Sequence, residues 1–298
     1  MENFILIFLT IFLGYFLNKF SVFPDNSAIT LNKFVIFISL PAMIFLQIPK
    51  LTLSFDVIIP VIISWSVIII SAILIFLLSK LLNFSKEITG ALMLVAVLTN
   101  SSFLGIPIIE AYYKDAALPY IMVYDQLGTF LALATYGTFI TAYYSAKTQI
   151  TFSIISYKII TFPPFIALII SLFCIGIEFP PTAQTVLSSL ASTIVPVALV
   201  AVGLQLQFKL PKSELLPFST ALTVKLIIAP IIAIIICTMF AWNNLASQVS
   251  ILEAAMAPMI TAGAMASMAG LAPRLSSAIV GYGAIISFVT TYIFFKFI

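Results

Sequence analysis

In Thr99-Asn100-Ser101-Ser102-Phe103-Leu104-Gly105-Ile106-Pro107, polar and helix-breaking residues interrupt a long apolar segment of the chain. A second apolar segment is interrupted by Ala257-Pro258-Met259-Ile260-Thr261-Ala262-Gly263. The glycines of the two interruptions are 158 residues apart (263 minus 105). Unwound backbone within a membrane is tolerated only where it is buried in protein or lines a cavity. Paired interruptions therefore indicate the binding site of a carrier built from repeats.

The composition is that of a membrane protein. The chain has 298 residues, of which 62% are hydrophobic and 8% are charged, and its mean hydropathy is +1.23. Because soluble domains carry about 25% charged residues, a water-soluble protein is excluded, and the lipid bilayer is the expected partner. The net charge of +3 comes from isolated lysines without a basic run, so no nucleic acid is expected.

Residues that carry enzyme chemistry are scarce. The chain has no His, and its two cysteines, Cys174 and Cys237, lie in apolar segments. It contains no Gly-x-Ser-x-Gly motif, phosphate-binding loop or metal-ligand spacing. We therefore predict no enzymatic activity, no metal and no cofactor, and leave Na⁺ or H⁺ open as a coupling ion.

Apolar runs bounded by Pro, Gly, Asn and charged residues predict ten helical spans. Their approximate limits are 3–20, 31–48, 57–79, 87–111, 119–145, 154–177, 185–207, 215–239, 245–270 and 275–296. The N-terminus lacks the basic start and cleavage site of a signal peptide, so its apolar run is predicted to be a membrane span. The predicted fold is an all-α integral membrane protein with two inverted five-helix repeats, 1–145 and 146–298.

The distribution of Lys and Arg predicts the orientation. With the N-terminus outside, the inner loops hold nine basic residues: Lys19, Lys33, Lys80, Lys86, Lys147, Lys158, Lys209, Lys212 and Arg274. The outer side holds three: Lys50, Lys114 and Lys296. We therefore expect a multi-pass protein of the inner (plasma) membrane with both termini outside.

Proline landmarks support an internal repeat. Three pairs recur at offsets of 155 to 157 residues: Pro24 and Pro180, Pro41 and Pro196, and Pro60 and Pro217. Because each half has an odd number of predicted spans, the two halves would face opposite ways, which is the geometry of alternating access.

The fourth predicted span carries the first candidate site. The ring of Pro107 clashes with the carbonyl of Phe103, so the freed backbone groups need new partners. The side chains of Asn100, Ser101 and Ser102 or a bound solute can supply them. A half-helix that begins here would direct its N–H groups and positive dipole end at an anion. The alternative is a simple kink healed by the Ser hydroxyls.

The ninth predicted span carries the second candidate site. Pro258 frees the carbonyl of Ala254, and Thr261 and Gly263 follow. The run 263–270 is rich in small residues that allow helices to approach closely. It is expected to pack against another helix, such as the fourth span, and packing alone is the alternative to a binding role.

Four ionisable residues lie within or near predicted spans: Lys225, Glu253, Asp125 and Glu110, the last of which is expected at the outer interface. Such charges are costly in a membrane and face a partner or a cavity. Lys225 either attracts an anionic substrate or pairs with Asp125 or Glu253. The two acidic residues are candidates for a proton relay or a cation site.

Several motifs resemble those of the auxin efflux carrier family, and the resemblance spans essentially the whole chain. They are Gly14-Tyr15-Phe16-Leu17, Leu31-Asn32-Lys33-Phe34-Val35, Ser39-Leu40-Pro41-Ala42, the run Asn100 to Pro107, the run Pro196 to Leu206 with Gly203-Leu204-Gln205-Leu206 at its end, and Lys225 followed by Pro230.

The resemblance implies ten helices in two inverted repeats, with the fourth and ninth helices broken and crossing, a fold similar to bile acid–sodium symporters. It implies small organic anions as substrates: auxin in plants and dicarboxylates such as malonate or malate in bacteria. Asn100 and nearby backbone would meet the substrate carboxylate, with Lys225 and Asp125 in support. The long cytoplasmic loop of many plant members is missing, which is typical of a compact prokaryotic form.

The predicted function is therefore secondary active transport of a small carboxylate by alternating access. The candidate substrate-binding residues are Asn100, Ser101, Ser102, Gly105, Pro107, Lys225, Pro258, Thr261 and Gly263. Asp125 and Glu253 are the candidates for ion or proton coupling. The alternatives are an exporter of the drug/metabolite superfamily type, which has a similar length and repeat, and a channel or sensor. A homodimer is one of the assemblies left open.

Overall fold

The computed structural model describes residues 2–24, 26–50, 55–145, 153, 157, 160–206 and 214–298. Within these ranges the chain is helical, and extended pairing is limited to a single bridge. An α-helix satisfies its own backbone hydrogen bonds, which is what an apolar chain in lipid requires.

The described part of the first half contains eight α-helices. They are α1 (Glu2–Lys19), α2 (Ser27–Phe34), α3 (Leu40–Gln47), α4 (Ile59–Leu81), α5 (Lys86–Val95), α6 (Ile106–Tyr113), α7 (Leu118–Val123) and α8 (Thr138–Ser145). Between them lie π-helical turns at Val35–Ser39, Ser101–Gly105, Tyr124–Phe130 and Leu133–Gly137, and 3₁₀ turns at Ile48–Lys50, Phe55–Val57 and Lys114–Ala117.

The described part of the second half also contains eight α-helices. They are α9 (Pro163–Leu172), α10 (Pro181–Ala191), α11 (Ile194–Gln205), α12 (Leu215–Thr223), α13 (Ala229–Met239), α14 (Leu245–Ala254), α15 (Ile260–Met268) and α16 (Pro273–Phe297). A π-helical turn at Val224–Ile228 joins α12 to α13.

Six helical segments of the described chain are long and apolar enough to cross a membrane. They are Ser27–Lys50, Phe55–Leu81, Ser101–Ser145, Pro181–Gln205, Leu215–Met239 and Pro273–Phe297. The prediction of ten spans exceeds this number in part because α5, α14 and α15 are separate pieces of interrupted helices, each shorter than a span. Some predictions fall outside the described residues. They are the start of the sixth span, the boundary between the repeats and four of the predicted inner lysines, Lys147, Lys158, Lys209 and Lys212.

The surface of α4 shows how the chain suits a bilayer. Ile69, Ile73 and Leu77 form an exposed apolar face, whereas Ser64 and Ser71 are buried. Residues four apart share one face of a helix. Apolar side chains therefore face outward and small polar side chains face the protein interior, as in a membrane-embedded helix.

Two glycines allow α1 and α11 to cross closely. A Cβ atom on Gly203 would lie 2.2 Å from the carbonyl oxygen of Ile11 and 2.9 Å from the Cα atom of Gly14. Since real Cβ atoms do not approach that closely, any larger residue would push the two helices apart.

Candidate substrate site

The two interruptions of the sequence lie against each other in the structure. Thr99 and Pro258 form an antiparallel bridge. The amide of Asn100 donates to the carbonyl of Ala257 at 2.9 Å, and the amide of Met259 donates to the carbonyl of Leu98 at 3.0 Å. The unwound segments 96–100 and 255–259, here called the first and second crossing segments, thus satisfy part of each other's backbone.

The helices that lead into the crossing occupy matching positions. Both ends of α5 and α14 differ by 159 residues (245 minus 86 and 254 minus 95). Their N-caps also match, because the side chain of Ser85 accepts from the amide of Ile88 and that of Asn244 accepts from the amide of Ser247. Each helix is therefore started by a side-chain cap and ends at the crossing.

The first crossing segment lies upstream of the glycine and proline that were expected to break the helix. Gly105 and Pro107 are both helical, and Pro107 is in the first turn of α6. The amide of Gly105 donates to the carbonyl of Asn100 at 3.0 Å, which closes a π-helical turn. This wider turn before Pro107 accommodates a residue that an unbroken α-helix would exclude. The predicted stretch 99–107 therefore includes the end of the unwound segment, at Thr99 and Asn100, but the expected break at Gly105 and Pro107 was wrong.

Asn100 caps the helical stretch that follows the first crossing segment. Its Oδ1 atom accepts from the amide of Phe103 at 3.3 Å. Its side chain is buried, and its Nδ2 atom has no hydrogen-bond partner among the described residues. A buried donor without an acceptor costs free energy, so this amide is available to a bound acceptor.

Asp125 lies in the π-helical turn Tyr124–Phe130 and contacts the residues that follow Asn100. Its Oδ1 atom accepts hydrogen bonds from the hydroxyls of Ser101 and Ser102, the latter at 2.5 Å. Its Oδ2 atom accepts from Nε2 of Gln126 at 2.5 Å. Three donors thus compensate a buried carboxyl group.

These groups border a small cavity of about 80 Å³, here called the central cavity. Four of its lining residues were predicted as site residues: Asn100, Ser102, Asp125 and Thr261. The others were missed: Ile36, Leu40, Phe103, Phe130, Leu133, Phe162 and Met259. Apolar residues occur throughout the spans, so no sequence signal distinguishes those that line a cavity.

Lys225 lies on the π-helical turn Val224–Ile228 and is fully buried. Its Nζ atom donates to Oγ1 of Thr99 at 2.6 Å and to the carbonyl of Ala254 at 3.1 Å. It does not line the central cavity, and neither predicted carboxyl partner accepts from it. The ammonium group therefore links Thr99 to the end of α14 without lining the central cavity.

Glu253 lies at the end of α14 and is also fully buried. Neither of its carboxyl oxygens has a hydrogen-bond partner within the described ranges. A Cβ atom on Gly105 would lie 2.5 Å from Oε1 of Glu253, so the glycine makes room for this carboxyl group. The two predicted residues are thus neighbours, although neither lines the central cavity.

The second crossing segment is built by close packing. A Cβ atom on Gly283 of α16 would lie 2.5 Å from Cδ of Pro258, and one on Gly263 would lie 2.7 Å from Cγ2 of Val280. Gly263 therefore packs on α16, and α15 also contacts α5, which is part of the fourth predicted span. The predicted packing of this segment against the fourth span is confirmed, and α16 is a further partner.

A larger cavity of about 490 Å³, here called the polar vestibule, lies along α3 beyond the central cavity. Its polar lining includes Gln47, Lys50, Glu110 and Asp115. The described residues contain no cluster of three or more His, Cys, Asp or Glu suited to a metal ion.

The comparisons with known proteins agree on a transporter. The family described as membrane transport protein matches residues 1–295. An uncharacterized transporter of Methanothermobacter thermautotrophicus is 26% identical over 297 residues, which cover 97% of this chain and 95% of that protein. An uncharacterized transporter of Methanocaldococcus jannaschii is 26% identical over 266 residues, or 86% of this chain and 85% of that protein. The chain therefore belongs to the membrane transport protein family, the auxin efflux carrier family that its motifs resemble, and is a multi-pass membrane transporter.

Proposed function

We propose that the protein is a secondary carrier of small organic anions such as carboxylates, which it binds in the central cavity and moves by alternating access. The observation that carries this proposal concerns Asn100, a residue that lines the cavity: its buried Nδ2 atom has no acceptor among the described residues. A carboxylate oxygen would satisfy this donor, while the apolar walls would exclude water from the rest of the ligand.

The negative charge of Asp125, which lines this cavity, would repel a bound anion. Its charge is partly compensated by Ser101, Ser102 and Gln126. A proton taken up with the substrate would remove the remaining repulsion, because two nearby carboxylates are costly when both are charged. We therefore favour H⁺ over Na⁺ as the ion that accompanies a carboxylate.

Alternating access is supported by two cavities that lie along one helical segment. Ile36 and Leu40 line the central cavity, and Met43 and Gln47 line the polar vestibule. Residues at these spacings share one face of a helix. In our proposal the vestibule is an aqueous entrance and the central cavity is the binding site beneath it.

The proposed architecture has ten membrane spans in two inverted repeats, 1–145 and 146–298. The matching positions of α5 and α14 support this repeat. The distribution of Lys and Arg supports both termini outside in the inner (plasma) membrane, with the vestibule at the outer face near Lys50. We also propose a homodimer. The oligomeric state of the purified protein would test it.

The first experiment is a thermal-shift screen of purified protein with small monocarboxylates and dicarboxylates, with and without sodium. A ligand at 100 times its Kd stabilises the native state by about 2.7 kcal/mol. We expect a carboxylate to raise the melting temperature, and counterflow in proteoliposomes with the same compound to separate a carrier from a channel. Failure of every carboxylate would contradict the proposal.

A second candidate substrate is a small cation or neutral solute, favoured by the carboxyl group of Asp125 at the cavity. The same screen with amines and neutral metabolites would identify it. An exporter of the drug/metabolite superfamily is no longer favoured, because the family match covers residues 1–295.

A further inference from the structure

Pro258 leaves a backbone carbonyl group inside the protein that needs a donor. Proline has no amide hydrogen, so the carbonyl of the residue four positions earlier, Ala254, loses its helical partner. Lys225 supplies the replacement, since its Nζ atom donates to that carbonyl at 3.1 Å. The same ammonium group donates to Thr99 in the first crossing segment, at 2.6 Å. One positive charge therefore joins Thr99 in the first crossing segment to the end of α14, directly before the second crossing segment.

The acceptors around this ammonium group are all oxygen atoms. The two that accept from it are a hydroxyl group and a freed carbonyl. The carboxyl group of Glu253, the residue before Ala254, interacts with it electrostatically and lies fully buried with both oxygens unpartnered within the described chain. Hydroxyl, carbonyl and carboxylate oxygens at an unwound helix are the ligands that coordinate a dehydrated alkali cation in membrane carriers. The side chain of Lys225 thus stands where a free cation would find its ligands.

We infer that Lys225 is a tethered cation that fills a latent Na⁺ site formed by Thr99, Ala254 and Glu253. With the ammonium group in place, this site is closed to sodium, and the crossing is held without a free ion. Removal of the side chain leaves buried oxygens without a donor and a space for a sodium ion among them. The inference concerns this site alone and holds whatever substrate the central cavity takes.

The test compares Lys225→Ala, which opens the space, with Lys225→Met, which removes the same charge but fills most of the space with an apolar chain. Melting temperatures of the purified proteins are measured in sodium chloride and in choline chloride at equal ionic strength. We expect sodium to raise the melting temperature of Lys225→Ala by roughly 3–6 °C relative to choline. The wild type and Lys225→Met should differ by less than about 1 °C between the two salts.

A double variant, Lys225→Ala with Glu253→Gln, identifies the ligand. It removes the negative charge while keeping the size of the side chain, so we expect the sodium effect to fall by at least half. If Lys225→Ala is recovered as a monodisperse protein only in sodium, that also supports the site. Equal behaviour of Lys225→Ala in both salts, including failure to fold in both, would overturn the inference, as would an equal sodium effect in the wild type.

Discussion

The first and second crossing segments solve the same problem in different ways. Residues 96–100 are followed by a helical stretch that Asn100 caps, and the hydroxyls of Ser101 and Ser102 reach Asp125. Residues 255–259 have no polar side chain of their own, and a lysine from another helical segment donates to the carbonyl that Pro258 frees.

The difference assigns separate tasks to the two segments. The first brings hydrogen-bonding groups to the central cavity, whereas the second is held by a buried charge and by the close contact of Pro258 with Gly283. The first should therefore respond to mutation mainly through ligand binding, and the second mainly through stability. The following predictions would break or sharpen that contrast.

Lys225→Ala should have the largest effect. It leaves the carbonyl of Ala254 and the hydroxyl of Thr99 without their donor, and loss of one member of a buried charged network typically costs about 3–5 kcal/mol. Thermal unfolding in sodium-free buffer measures the loss, and proteoliposome uptake should be abolished. A variant as stable as the wild type would show that the ammonium group does not hold the crossing.

Gly283→Ala should have the next largest effect. Its new Cβ atom would lie 2.5 Å from Cδ of Pro258, a rigid ring that cannot rotate away. Overpacking of this kind costs about 1–3 kcal/mol, measured as a lower melting temperature. Gly137→Ala is the control, because its new Cβ atom would lie 3.3 Å from its nearest neighbour, Cδ1 of the flexible Leu133 side chain. Equal losses for the two variants would refute the packing role of the second segment.

Asn100→Ser separates capping from binding in the first segment. Serine is also a good N-cap, so the melting temperature without ligand should change little, while the amide donor is lost. The affinity for the carboxylate found in the screen should fall about tenfold, which is 1.4 kcal/mol. Isothermal titration calorimetry measures it.

Ser102→Ala is the matched comparison within the same segment. The hydroxyl of Ser102 is already engaged by Asp125, so its loss should weaken binding less than the loss of the Asn100 amide. If the two variants weakened binding equally, Asn100 would no longer be a direct ligand in our proposal.

Thr261→Val should have the smallest effect. Thr261 lines the central cavity from the helix that follows the second segment, and valine keeps its shape while removing the hydroxyl. We expect the Kd to change by less than about twofold. A loss comparable to that of Asn100→Ser would mean that both segments bind the ligand.

Much of the architecture could be predicted because the two interruptions carry local signals. Pro258, Asn100 and the neighbouring serines break or cap helices through their own backbone and side-chain chemistry, so their place in the chain marks the crossing. The exact first break was missed because a π-helical turn accommodates Pro107, and such a turn depends on the packing around it. The apolar wall of the cavity was missed because Phe130 and Phe162 look like any residue that faces lipid.

The sequence by itself determined that this is a helical membrane protein with two interrupted segments, since composition, hydropathy and proline positions act over short stretches of chain. Only the tertiary structure decided which partner each buried group takes. Lys225 is 126 residues from Thr99 and 29 from Ala254 along the chain, yet it donates to both. Such contacts depend on how helices distant in sequence pack together, and no local pattern encodes the outcome.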